Sequence, residues 1–198
     1  MREEFILDFC FKGDRNYVQG PDIFDEALKF ILLKFGEIRN IKYVAHKMLH
    51  HNAVLIVSSE KGEPDSNSII TFEVGNLRYY ASVINNFKQI KCKQDFSETE
   101  IQASSIIEQS KISLFNNLNY SFSEIIVSMN KYYLQKMSDA VGKWIITKLE
   151  LSDISFYNNV YHKKISLELV KNFNNMLTKS SIYIDGKQVG AIYFSLVK

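Results

Sequence analysis

Apolar and polar positions change their period several times along this chain, and each change marks an element. Residues 5–12 (FILDFCFK) alternate as one strand, and Gly13-Asp14-Arg15-Asn16 then reads as a turn. Gly20-Pro21-Asp22 opens a helix, with proline in the first turn and acids near its positive end. Ile23, Phe24, Ala27, Leu28, Ile31 and Leu32 then fall at three- and four-residue spacings, which predicts a helix with one apolar face, ended at Gly36. From Arg39 the period becomes two, and β-branched and aromatic residues dominate. Strands are expected at 39–49, 52–59, 68–74 and 77–84, with a polar loop from Glu60 to Asn67 and a two-residue hairpin at Gly75-Asn76.

The stretch from Asp95 to Gln109 is polar, and Ser97 with Glu100 suggests a capped connecting helix. The order of elements then recurs. A strand at 111–116 precedes an apolar helix over 122–137, followed by strand-like runs at 143–152, 163–170, 180–185 and 188–197, with Asp185-Gly186 at the last hairpin. Asn16-Tyr17 before the first helix matches Asn119-Tyr120 before the second, and His51 and Gly75 have counterparts in His162 and Gly186. One short insertion near the end of the second helix absorbs the change of offset. The chain is therefore read as a first repeat at 1–86, a linker with a helix at 87–110, and a second repeat at 111–198.

Composition narrows the function classes. With 198 residues and 46% hydrophobic side chains the chain can bury a substantial core. Its 24 basic and 22 acidic residues nearly cancel, so no global field recruits nucleic acid or an anionic membrane. The densest basic run, Lys88 to Lys93, reads as a solvated linker. Cys10 and Cys92 match no metal or redox spacing and are expected to be buried or inert thiols in a reducing compartment. The first residues, MREEFILDFCF, carry acids where a signal peptide needs basic residues, and no run reaches the roughly 20 apolar residues that span a bilayer. A cytoplasmic protein without a membrane segment is expected. Phosphate-cradling glycine loops and nucleophile elbows are absent, so no cofactor is expected.

A strand, then a buried helix wrapped by four more strands, twice over, resembles the hotdog fold. The resemblance implies an α+β double hotdog, each repeat a central helix wrapped by an antiparallel sheet. Residues Phe11 to Leu28 (FKGDRNYVQGPDIFDEAL) look like the segment where hotdog thioesterases and dehydratases place catalytic groups. In that family the helix start offers a backbone amide to a thioester carbonyl, a role that Gly20 fits. The substrate so implied is an acyl thioester on coenzyme A or acyl carrier protein, in fatty acid or polyketide metabolism, with the acyl chain in the groove between the repeats. Hotdog dehydratases carry a histidine in the loop before the helix, whereas this loop has Asn16, Tyr17 and Gln19. Thioesterases of the 4-hydroxybenzoyl-CoA type use an acid in the turn or on the helix, for which Asp14, Asp22, Asp25 or Glu26 can stand in. The second copy (NYSFSEIIVSMNKYY) lacks the glycine and has Glu124 alone as an acid. Thioester hydrolysis is thus the leading function; a non-catalytic acyl- or polyketide-binding hotdog protein or partner subunit, and a dehydratase, are the alternatives.

Each candidate residue also has a plain structural role. Asp25 and Glu26, or Asp22, would activate water if one points inward and is partly desolvated. Equally, Asp22 would complement the helix dipole while Asp25 and Glu26 sit on a solvated face. His46, His50 and His51 alternate with a strand pattern and cannot share a face, so no metal site is assigned. Asn16, Tyr17, Gln19, Gly20, Asn119 and Tyr120 are the candidate substrate-binding residues; the two Asn-Tyr pairs would serve as well to cap a turn and pack a helix. The repeats can satisfy each other within a monomer, and pairing of sheet edges would give a homodimer.

Overall fold

Strand β1 (Arg2–Leu7) stops at Asp8, and the chain re-enters extended structure as β2 (Cys10–Lys12). The single strand expected over 5–12 is therefore two. The buried Asn52 side chain explains the break, because its Oδ1 accepts the Phe9 amide at 2.8 Å in place of a ladder partner. The computed structural model describes residues 2–197 and divides them into two units, Met1–Ser97 and Glu98–Lys198.

In the first unit β1 and β2 are followed by α1 (Gly20–Phe35), β3 (Arg39–Ala45), β4 (His51–Ser58), β5 (Ser68–Val74), β6 (Leu77–Gln89) and β7 (Cys92–Gln94). The antiparallel order is β1-β4-β6-β5-β3, while β2 and β7 form a separate parallel pair. Gly75 supplies the positive φ (58°) that the two-residue turn between β5 and β6 requires, with Val74 opposite Leu77. Helix α1 buries Pro21, Ile23, Phe24, Ala27, Leu28 and Ile31, and ends at Gly36, whose φ is 68°. Its stripe packs on the inward residues of the sheet, among them Tyr43, Leu55, Val57, Ile70, Phe72, Ala81 and Val83. Phe24 meets Tyr43 edge-on with ring centroids 5.8 Å apart. Each fully buried aliphatic or aromatic side chain contributes about 1.5–3 kcal/mol by leaving water, so this stripe fixes which way the helix start faces.

The second unit runs α2 (Thr99–Ala103), β8 (Ile106–Glu108), β9 (Lys111–Phe115), α3 (Phe122–Met137), β10 (Lys143–Asp153), β11 (Lys164–Phe173), β12 (Leu177–Ile184) and β13 (Lys187–Val197). Its antiparallel order is β10-β13-β12-β11-β9-β8. Helix α3 packs against β9, β10 and β11 with Phe122, Ile125, Ile126, Met129, Tyr133 and Leu134 inward. Asp185 and Gly186 both have positive φ (49° and 83°) in the turn between β12 and β13.

Two sequence expectations need correcting. A double hotdog, each repeat one central helix wrapped by an antiparallel sheet, is not what is found: the chain is mostly antiparallel sheet, 49% strand against 19% helix, with three helices and not two among the described residues. The added pieces come from the stretch read as a linker, where β7 pairs with β2 and where α2 and β8 lie. The connecting helix is also shorter than expected. Polar side chains leave α2 only Ile101 to bury, and Glu98, not Ser97, stands at its N-cap without a side-chain cap hydrogen bond. Among the described residues, no helix is long and apolar enough to cross a membrane.

Candidate functional site

The candidate residues of the first unit lie on one continuous segment from β2 to the second turn of α1. Gly13, at φ 59°, turns the chain out of β2 and donates its amide to Gln94 O at 2.9 Å. Val18 then pairs with Leu49 just before β4, with Val18 N 2.8 Å from Leu49 O. Between these ties Asn16 is exposed and Tyr17 half-buried, and Asn16 O lies 2.8 Å from His50 Nδ1. The loop is thus anchored at both ends and at its tip.

Gln19 is the N-cap of α1, extended at φ −72° and ψ 149°, and its carbonyl accepts from Ile23 at 3.1 Å. The Gln19 side chain makes no capping hydrogen bond. Gly20 begins the helix and Pro21 has no amide hydrogen, so the dipole and the early amides of α1 face whatever occupies the space before Gly20. Gln19 Nε2 is itself buried and has no hydrogen-bond partner. An unpaired buried amide donor is costly.

The three acids of α1 are held differently. Asp22 Oδ1 lies 2.5 Å from Lys12 Nζ, and both side chains are largely withdrawn from solvent, at 13% and 18% exposure. Glu26 pairs with Lys29 one turn along, at 2.5 Å, on a more open face. Asp25 lies between them and is half-buried. Phe96 completes the surroundings, its ring centroid 5.3 Å from Lys12 Nζ and 5.7 Å from the Arg15 guanidinium carbon. Asp14 points into solvent near Lys93.

The corresponding segment of the second unit is closed. Ser121 caps α3 with a full capping box: its Oγ accepts the Glu124 amide at 3.2 Å, and Glu124 Oε2 accepts the Ser121 amide at 2.8 Å. Tyr120 donates its hydroxyl to Glu100 Oε2 at 3.1 Å; partial desolvation and that carboxylate raise its phenol pKa. Asn119 is exposed. His162 Nδ1 lies 2.8 Å from Asn117 Oδ1, so a histidine steadies the pre-helix loop in both units. His50, not His51, is the first unit's counterpart in that role. His51 lies instead near Asn85 and the Phe87 ring. Among the described residues no group of three His, Cys, Asp or Glu side chains is placed to hold a metal ion.

Two features escaped the sequence reading. Cys10 and Cys92 are joined by a disulfide, which corrects the expectation of two buried or inert thiols. Their separation of 82 residues hid the pairing, which depends on β2 and β7 lying side by side. The core of the second unit also holds polar atoms without hydrogen-bond partners: both side-chain heteroatoms of Asn130, and the hydroxyls of Thr178 and Ser180. A visible signal for the first was an asparagine four residues from Ile126 and from Leu134, on the apolar stripe of α3.

No protein-family model and no curated protein matches the chain. Solved structures do. The tesB protein of Mycobacterium avium subsp. paratuberculosis superposes with a TM-score of 0.53 at 9% identity, over 98% of this chain and 93% of that one. The dehydratase domain of PpsC from Mycobacterium tuberculosis, in complex with C12:1-CoA, gives 0.52 at 10% identity, over 99% and 93%. The dehydratase domain from the CurJ module of curacin polyketide synthase gives 0.50 at 10% identity, over 98% and 90%. At such identities the likeness speaks to architecture alone, and on that point it is consistent across nearly the whole chain: this protein has the hotdog fold of thioesterases and polyketide synthase dehydratase domains.

Proposed function

We propose that the protein processes acyl thioesters at the start of α1, and that the reaction is hydrolysis. The observation that carries this reading is the Gln19 side chain, a buried amide donor without a partner at the N-cap of α1, where it makes no capping hydrogen bond. A thioester carbonyl placed there meets the Gly20 amide, the Gln19 amide and the positive end of the helix dipole, all of which bind the developing oxyanion more strongly than the ground-state carbonyl. Asn16 and Tyr17 border the approach. Asp25, half-buried on α1 between the Asp22–Lys12 and Glu26–Lys29 pairs, is the carboxylate assigned to take a proton from water as it attacks. The thiol leaves as the tetrahedral intermediate collapses. In the second unit Glu124 is taken by the capping box, so Asn119 and Tyr120 serve the fold there.

The carrier is coenzyme A or acyl carrier protein, and cytoplasmic location follows from where such thioesters are made and used. A second reading, dehydration of a hydroxyacyl thioester, is favoured by His50. With Nδ1 donating to Asn16 O, its Nε2 is left as the basic nitrogen of the ring.

Purified protein incubated with a panel of acyl-CoA and acyl-carrier-protein thioesters, followed by mass spectrometry, separates these outcomes. Released thiol, lost at least about a hundredfold in Asp25→Asn, supports hydrolysis with a carboxylate base. Loss of water from a hydroxyacyl substrate, abolished by His50→Ala, replaces it with dehydration. Retained ligand with neither product would make the protein an acyl binder.

A further inference from the structure

The disulfide sits at one end of a short relay of contacts that leads to the proposed site. Cys10 and Cys92 are directly opposite in the parallel pair of β2 and β7, each only three residues long. Two such short strands do not hold together in water by their own hydrogen bonds. Two residues beyond Cys10, Lys12 reaches Asp22 in the first turn of α1. Beyond Cys92, Gln94 accepts the Gly13 amide, and Phe96 lays its ring beside both Lys12 and Arg15. The Gly13 and Phe96 contacts join the β2 and β7 segments, and through Lys12 they adjoin the ion pair that ties β2 to α1. Cys92 is exposed while Cys10 is half-buried, so an incoming thiolate has access to the Cys92 sulfur.

We infer that Cys10–Cys92 is a redox-sensitive clasp that orders the segment from Lys12 to Asp22 when oxidised and loosens it when reduced. The regulatory half of this inference rests on the thioester reading of α1; the structural half does not. In a reducing compartment a disulfide that forms is transient and senses redox state, and this one is accessible enough to turn over. The reductant is a dithiol. Its first thiolate attacks Cys92 Sγ, the S–S bond breaks, and Cys10 leaves as a thiolate that takes a proton. The second thiol of the reductant then attacks the mixed disulfide and releases Cys92. Two electrons and two protons pass to the cysteines, and the dithiol becomes a disulfide. Freed from Cys10, β7 retains too few ladder bonds to keep Phe96 and Gln94 in place, and the loop before α1 loses one of its two walls.

Peptide-resolved amide hydrogen exchange on the full chain tests this, comparing air-oxidised protein, protein in dithiothreitol, and the Cys10→Ser/Cys92→Ser double variant. Exchange in peptides covering 10–24 and 90–97 is expected to rise about tenfold or more on reduction, with second-unit peptides unchanged. The double variant should exchange at the reduced rate in both conditions. Equal exchange in the oxidised and reduced protein would overturn the clasp, as would two freely alkylated cysteines after mild oxidation. Thioester turnover measured on the same samples separates the two halves. A change in exchange with equal turnover in both redox states overturns the regulation and keeps the clasp. A change in exchange without turnover in either state overturns the thioester reading instead.

Discussion

Lys12 Nζ lies 2.5 Å from Asp22 Oδ1, and the pair joins the end of β2 to the first turn of α1 with little solvent around it. Removing one member of such a pair strands the other charge in a poorly solvated place, which costs more than the pair itself is worth. Lys12→Met should therefore lower unfolding stability by about 3 kcal/mol in urea denaturation, with the Lys12→Met/Asp22→Leu double variant recovering a good part of the loss. Equal loss in single and double variants would show that the pair does not act as a unit.

Gly190 is where β13 passes closest to β10. A Cβ built there would meet Glu150 O at 2.0 Å and the Leu151 side chain at 3.0 Å. The first neighbour is backbone in the adjoining strand and cannot step aside without breaking the ladder in which Leu151 is opposite Gly190 and Glu150 opposite Ala191. Gly190→Ala should cost about 3 kcal/mol or more, the upper range for overpacking, and reduce soluble yield. Gly75→Ala meets no atom within 4 Å, and its cost of roughly 1–2 kcal/mol comes from the left-handed backbone alone. The order of the two variants in thermal denaturation tests the distinction.

Regular periodicity is what made much of this chain legible. The two apolar helices, both two-residue hairpins and the runs that became β3 to β6 and β10 to β13 follow from three- and four-residue or two-residue spacings that act locally. The β1–β2 break, the β2–β7 pair and its disulfide depend on residues more than 40 positions apart, and nothing local encodes them. The double-hotdog reading failed for a different reason, because β7, α2 and β8 lie in a stretch too polar to show a period. The apolar spacing put Asp22, Asp25 and Glu26 on a helix opened by Gly20, as found. It did not show that Lys12, in β2, engages Asp22, since a pair between different elements leaves no trace in the pattern, whereas Glu26 and Lys29 stand at a helical i,i+3 spacing that the sequence does carry.

Asn130 is fully buried on α3, yet neither its Oδ1 nor its Nδ2 has a hydrogen-bond partner. Desolvation of an amide without compensation costs about 1–3 kcal/mol on the scale of protein mutants. Leucine has the same branching and number of side-chain heavy atoms, is somewhat larger, and has no polar atoms. Asn130→Leu is expected to raise unfolding stability by about 1–2 kcal/mol, read as a higher denaturant midpoint at unchanged slope. A fall in stability would mean that the amide makes compensating hydrogen bonds in solution. Thr178→Val, which removes another unpartnered buried hydroxyl at constant shape, should move in the same direction.

Tyr43 gives the fold a defined alkaline limit. It is 1% exposed and packs against Phe24 of α1, and burial pushes its phenol pKa well above the ordinary value, with only the nearby Ser68 hydroxyl acting the other way. In the unfolded chain the same phenol ionises at about pH 10. Below that pH both states keep the proton and stability does not depend on this group. Above it the unfolded state loses the proton while the folded state retains it, so stability declines progressively as pH rises from about 10 towards the folded-state value. Tyr43→Phe removes this dependence. Urea unfolding at about pH 8 and about pH 11 should therefore show a smaller drop between the two for Tyr43→Phe than for the parent chain. Equal drops would place the alkaline sensitivity in other groups, such as Tyr133 and Tyr193, whose phenols are also raised by partial burial.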